Sequence, residues 1–207
     1  MSGRIVLVRH GQTPWSESGR HTGSTDITLT AEGEQQAKTL ARPLAGYDIA
    51  LTLSSPLHRA WLTAELAGLT PTAEPALMER RYGAAEGLTT AQLRQLTGQP
   101  HWDVWDADLA TLHTITSPPG AVVDGPESLQ QVVDRVRPVL DRCAEVVAGG
   151  RDCVLVSHSH LLRILAATWL ALPPITGRHL VLDAAHLGLL GYERETPALL
   201  GWNLPPG

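Results

Sequence analysis

The apolar run Ile5-Val6-Leu7-Val8 gives way at once to Arg9-His10-Gly11, so a short strand delivers an arginine-flanked imidazole to its own exit. In an open α/β sheet, ligands bind in the crevice beyond the carboxyl ends of the strands. A neutral imidazole there can attack phosphorus. The neighbouring guanidinium, always charged and fork-shaped, can hold phosphate oxygens by two-point contact. Gly11 is read as the residue that lets the backbone turn without a Cβ penalty.

A second apolar run, Val154-Leu155-Val156, ends in Ser157-His158-Ser159-His160 and enters the helical pattern Leu161, Leu162, Leu165, Ala166, Trp169. Between the two, residues 49–53 lead through Ser54-Ser55-Pro56 to His58-Arg59-Ala60. Three strands thus hand His10, His158 and Arg59 to one edge of a sheet. Pro56 suits a first helical turn, and Arg59 just inside that helix can face the crevice.

Periodicity supplies the rest of the architecture. Helices are expected over about residues 31–44 behind Thr30, and over 57–67 up to Gly68. A third is expected from about 127 to 148, where Leu129, Val132, Val133, Val136, Leu140, Cys143 and Val147 recur at three- and four-residue steps. Pro138 should bend it and Gly149-Gly150 should stop it. Strands are expected near 4–9, 48–53 and 153–157, with further β structure near 180–182 and 186–193. This alternation predicts an α/β protein, a three-layer α/β/α sandwich with a mostly parallel sheet. At 207 residues the chain fits a single domain, residues 1–207, with about 89–124 as an irregular roof over the crevice. The apolar stretch from Leu187 to Trp202 suits a β-hairpin at the sheet edge or the contact of a homodimer.

Charge and composition exclude several functions. The net charge is −5 and Lys38 is the sole lysine, so no basic stripe is available for a nucleic-acid backbone or an anionic membrane surface. No apolar run approaches the roughly 20 residues of a membrane span, and the N-terminus lacks a signal peptide's apolar region. A soluble, cytoplasmic protein is expected. Cys143 and Cys153 have a spacing unlike any zinc ligand set and are read as buried reduced thiols, with a disulfide between them as the alternative.

Five blocks carry a resemblance: residues 9–37 (RHGQTPWSESGRHTGSTDITLTAEGEQQA), 54–65 (SSPLHRAWLTAE), 77–89 (LMERRYGAAEGLT), 125–136 (GPESLQQVVDRV) and 156–165 (VSHSHLLRIL). In these residues the chain resembles the histidine phosphatase superfamily, the branch that includes cofactor-dependent phosphoglycerate mutases and many small phosphatases. The resemblance implies a phosphoglycerate mutase-like fold. It implies His10 as the nucleophile, converted to phosphohistidine, with Arg9, Arg59 and His158 surrounding the transferring group with positive charge and no metal or other cofactor required. It implies Glu79 as the general acid, with Glu86 as the rival. Ser16, Thr22, Gly23, Tyr82 and Ser159 fall at substrate-binding positions. Ser16 stands where the mutases usually carry asparagine, and Ser159 where the family commonly has glycine, although a backbone amide there still donates. His158 and His160 form a His-x-His pair, but no further ligand follows at metal-site spacing.

Mutase and phosphatase readings differ in what they demand. A mutase needs extra cations to hold a carboxylate and a dry phosphoenzyme. Here the mutases' lysine position is Thr90, and residues 95–134 contain no Lys or Arg. The expected function is therefore a metal-independent phosphomonoesterase for small phosphorylated metabolites, sugar phosphates foremost, similar to broad-specificity acid phosphatases and sedoheptulose-1,7-bisphosphatase-like sugar phosphatases. A phosphoglycerate mutase is the runner-up. A non-catalytic binding module is the alternative from a different class. Arg80 or Arg81 could reach a second anionic group, or both could form exterior ion pairs.

Overall fold

The computed structural model describes residues 3–116 and 125–207, with 113–116 described by backbone alone. Strands β1 (Ile5–Arg9), β2 (Ile49–Ser54), β3 (Thr72–Ala73), β4 (Asp152–Ser157), β5 (Leu187–Glu193) and β6 (Thr196–Leu204) form one sheet in the order β3-β2-β4-β1-β5-β6. The first four run parallel. β5 lies antiparallel to β1, and β6 antiparallel to β5.

The helices are α1 (Pro14–Glu17), α2 (Ala31–Thr39), α3 (Ala41–Leu44), α4 (His58–Leu66), α5 (Thr90–Thr97), α6 (Leu109–Thr116), α7 (Leu129–Ala148) and α8 (Ser159–Trp169). Alternate residues of the central strands enter different cores. Ile5, Leu7, Cys153 and Leu155 pack with Val132, Val136 and Leu140 of α7 and Leu161, Leu162 and Leu165 of α8. Val6, Val8, Val154 and Val156 pack with Leu40 between α2 and α3, Leu44 of α3, and Ala60 and Ala64 of α4. Both faces of β1 and β4 are thus covered by helices, which is why these strands are continuously apolar rather than alternating. The result is the expected α/β/α sandwich.

Local signals hold the helix starts. Thr30 Oγ1 accepts from the Gly33 amide at 3.0 Å, and Ser128 and Gln131 form a reciprocal capping box at the start of α7. Pro138 lies inside α7 and does not end it. The expected helix over 31–44 divides at Leu40, because Pro43 has no N–H to donate to the Thr39 carbonyl.

Two expectations are corrected. Residues 180–182 form no strand; their carbonyls are taken by side chains instead, Val181 by Trp202 Nε1 and Leu182 by Arg9. The β pairing at this end comes from the β5–β6 hairpin. Residues 89–116 are also more regular than an irregular roof, since α5 and α6 lie within them and Trp102, Trp105 and Leu109 join the core. Residues 117–124 of that segment lie outside the described residues. Cys143 and Cys153 are buried and free. Among the described residues no helix is long and apolar enough to cross a membrane.

Candidate active site

Parallel register brings the two histidine-bearing strand ends together. Arg9 is the partner of Ser157, and the His10 amide donates to the Ser157 carbonyl at 2.9 Å. The His10 and His158 rings consequently meet edge to face, centroids 5.1 Å apart. β2 flanks β4 on its other side, with Ser54 opposite Val156, and α4 then begins at His58, one residue before the fully buried Arg59. Gly11 does not adopt a left-handed conformation. Its requirement is close approach: a Cβ there would stand 2.3 Å from the Gly33 carbonyl oxygen at the start of α2. The reading of Gly11 as a turn residue is corrected accordingly.

The His10 tautomer is fixed by one bond. Nδ1 lies 2.7 Å from the Gly11 carbonyl, which can only accept, so the ring hydrogen is on Nδ1 and the lone pair on Nε2. Burial, followed by the charges of Arg59 and Arg9, pushes the imidazole well below its ordinary range and keeps it neutral. Arg9 donates from Nη1 to the Leu182 carbonyl at 2.6 Å. Its Nε is buried without a hydrogen-bond partner among the described residues. Such a donor costs free energy unless something accepts from it.

Glu79 sits at the head of α8. Its Oε1 accepts from the amides of Arg80 at 2.8 Å and Leu161 at 2.9 Å, and its Oε2 from the His160 amide at 3.1 Å. Since α8 has no side-chain cap of its own, this carboxyl satisfies amides that the helix leaves unpaired. Burial nevertheless dominates and raises the Glu79 carboxyl above its usual range, against the lowering effect of those three amides. Glu86 has a different job. It accepts from the amides of Ser24 and Thr25 at 2.7 and 3.0 Å and does not line the cleft.

The cleft itself holds about 190 Å³. Of the ten residues expected at the site, it is lined by Arg9, His10, Ser16, Thr22, Glu79, Tyr82 and Ser159. Three stand behind it. Arg59 donates from Nε to His158 Nδ1, from Nη1 to the Thr25 carbonyl and from Nη2 to the Gly23 carbonyl. His158 Nε2 meets Ser55 Oγ at 2.8 Å. Gly23 is buried, and a Cβ there would stand 2.2 Å from Glu86 Oε1.

Arg20 and His21, outside the expected site, also line the cleft, as does His160, which the sequence showed in a His-x-His pair without a role. The Arg20 guanidinium has no hydrogen-bond or ion-pair partner among the described residues. Its place between Ser16 and Thr22, both flagged, was the available signal. Arg80 and Arg81 do not reach the cleft lining. Arg80 donates to the carbonyls of Glu127 and Val104, and Arg81 pairs with Glu127.

A strand-borne neutral imidazole, a buried arginine with an unmatched donor and a buried carboxyl sharing one cleft are the parts of a phosphoryl-transfer centre. The model of the histidine phosphatase superfamily (branch 1) matches residues 5–205, and the chain belongs to that family. It is an enzyme of the histidine phosphatase class with the phosphoglycerate mutase-like fold. It is 38% identical over 194 residues to the acid phosphatase of Mycobacterium tuberculosis (strain ATCC 25618 / H37Rv), covering 92% of this chain and 87% of that one. It is 32% identical over 203 residues to the probable phosphoglycerate mutase GpmB of Yersinia enterocolitica serotype O:8 / biotype 1B, covering 96% and 89%. Among solved structures, an open-reading-frame product of Mycobacterium tuberculosis superposes with a TM-score of 0.84 at 33% identity, covering both chains fully.

Proposed function

We propose that this chain is a metal-independent phosphomonoesterase for small phosphorylated metabolites, sugar phosphates foremost. The observation that carries the reading is the His10 tautomer: Nδ1–H held by the Gly11 carbonyl leaves the Nε2 lone pair as the nucleophile. Nε2 forms a bond to phosphorus as the ester P–O bond breaks, and Glu79 gives its proton to the departing alcohol. Water then attacks phosphorus, passes a proton to the Glu79 carboxylate and releases phosphate as the P–N bond breaks. A carboxyl raised by burial is suited to begin that cycle protonated. Arg9, with its unmatched Nε, supplies charge to the transferring group. Arg59 and His158 act from behind the His10 ring. The Ser159 amide, first in α8, is a further donor for a phosphate oxygen.

The runner-up is a phosphoglycerate mutase, favoured by the likeness to GpmB and by the unpaired Arg20 on the cleft wall. Against it, Thr90 fills the mutases' lysine position and is engaged with His21 Nε2 at 3.3 Å. The test is phosphate release in excess EDTA from sugar phosphates and phosphoglycerates, beside an assay for 3- to 2-phosphoglycerate conversion. Release that survives EDTA and vanishes in His10→Ala is expected. Isomerisation without release would replace this reading with the mutase, and neither activity would favour a binding module.

A further inference from the structure

One cleft residue has no part in the chemistry above. His160 lines the wall next to Glu79, and its side chain is held on several sides. Its Nδ1 lies 2.6 Å from the Tyr82 hydroxyl. The Trp105 ring packs against it with centroids 4.6 Å apart, and Trp105 is in turn covered by the Arg163 guanidinium at 4.7 Å. A side chain so fixed in plane and rotation is preorganised to hydrogen-bond in one direction.

That direction follows from the Tyr82 contact. Burial, then the neighbouring Glu79 carboxyl, pushes the Tyr82 phenol well above its ordinary range, so it keeps its proton. The hydroxyl has no other acceptor among the described residues, and donation to Nδ1 is the arrangement that satisfies it. The ring, kept neutral by burial and then by the Arg163 charge, therefore carries its own hydrogen on Nε2. Nε2 has no hydrogen-bond partner among the described residues. It is a fixed, uncharged N–H donor in a cleft whose other prominent donors are cationic.

Its place relative to the reaction is set by α8. The His160 amide donates to Glu79 Oε2 at 3.1 Å, so the carboxyl of the proposed acid caps the helical turn that carries the imidazole. Glu79 and His160 line the same cleft, so a leaving alcohol that meets the carboxyl lies in the space the imidazole also borders.

We propose that His160 selects the leaving group: its Nε2–H donates to a hydroxyl oxygen on the carbon next to the ester carbon, favouring phosphate esters of polyhydroxylated alcohols over esters of plain alcohols. Tyr82 acts through it as a positioning residue that sets the tautomer. The proposal rests on the phosphatase reading and narrows its substrate class. It also explains the His-x-His pair without a metal.

The test compares kcat/KM for glycerol 3-phosphate and propyl phosphate, which differ in the hydroxyls alone. The wild-type chain should prefer glycerol 3-phosphate by about tenfold, the discrimination one well-placed neutral donor provides. His160→Ala should bring that ratio towards one, and His160→Gln, which keeps an N–H donor, should restore part of it. Tyr82→Phe should lower the ratio without removing the ring, and it reads the same quantity where His160→Ala does not fold. Equal losses on both esters, or a ratio near one in the wild type, would overturn the proposal while leaving the phosphatase reading intact. Release from neither ester by the wild type, nor from any other phosphomonoester, would overturn both.

Discussion

Arg59 donates its Nε–H to His158 Nδ1 at 3.1 Å, which places the His158 hydrogen on Nε2 and directs it to Ser55 Oγ at 2.8 Å. The same guanidinium holds the carbonyls of Gly23 and Thr25, so one side chain orients an imidazole and pins the loop at residues 23–25. Lysine keeps the charge but lacks the planar fork. Arg59→Lys should lower stability by about 2 kcal/mol, since two or more buried acceptors lose their donor. It should also reduce kcat by about a hundredfold. Urea unfolding and steady-state kinetics check the pair; unchanged stability would contradict the pinning role.

Glu79→Gln should separate substrates by their leaving groups. Alcohols of high pKa need protonation as they depart, whereas p-nitrophenolate does not. The variant should lose about a hundredfold in kcat on a sugar phosphate and far less on p-nitrophenyl phosphate. In the wild type, sugar-phosphate turnover should fall as pH rises through the raised Glu79 value, because the acid then begins the cycle deprotonated. Equal losses on both esters would assign Glu79 a structural role alone.

Stability should fall with acid in a defined window. His10, His158 and His160 are all pushed well below 6.5, in each case first by burial and next by a neighbouring arginine. Below that pH the unfolded chain takes up protons that the folded chain refuses. The stability these neutral rings contribute is therefore complete above pH 6.5 and drains away as pH falls towards their depressed values. Each ring should cost about 1.4 kcal/mol per pH unit in that range. Urea unfolding between about pH 7.5 and about pH 5.5 reads the slope. A slope unaltered in His160→Gln would show that this ring does not titrate on unfolding.

Gly11→Ala and Gly19→Ala should differ although both replace glycine in the same block. At Gly11 the new Cβ meets backbone at 2.3 Å, while at Gly19 nothing lies within 4 Å and the cost is the positive φ of 71°. Overpacking against a rigid carbonyl should cost about 3 kcal/mol and displace His10, against about 1 kcal/mol for the exposed turn. Thermal or urea unfolding of the two variants should rank them in that order.

Glu127 anchors the arginine that supports Glu79. Its carboxylate accepts from Arg135 Nε at 2.9 Å and Nη2 at 3.0 Å, and Arg135 Nη2 also reaches the Glu79 carbonyl at 3.3 Å. Glu127→Gln leaves a half-buried guanidinium without its counter-charge and should cost about 3 kcal/mol. Because the Glu79 backbone loses support, kcat should fall as well. Full activity in a destabilised variant would confine Glu127 to stability.

The sequence alone determined what depends on neighbours in the chain. The apolar runs of β1 and β4, the caps at Thr30 and Ser128, and the arrival of His10, His158 and Arg59 at one sheet edge all follow from patterns within a few residues. The family blocks added Glu79, whose position beside Tyr82-Gly83 has no local signature of an acid. Tertiary structure decided the pairings. Glu79 meets Leu161 across 82 residues and Tyr82 meets His160 across 78, and no local period encodes such partners. The same holds for the carbonyls at 181 and 182, where side chains from distant segments replace the expected strand. It holds for Gly11, needed for a helix that packs on it rather than for its own dihedral angles. Which ring nitrogen bears the proton, which arginine faces the cleft and which glutamate lines it are set by hydrogen bonds that form only once separate elements are packed together, because a buried donor or acceptor must find its partner wherever the fold supplies one.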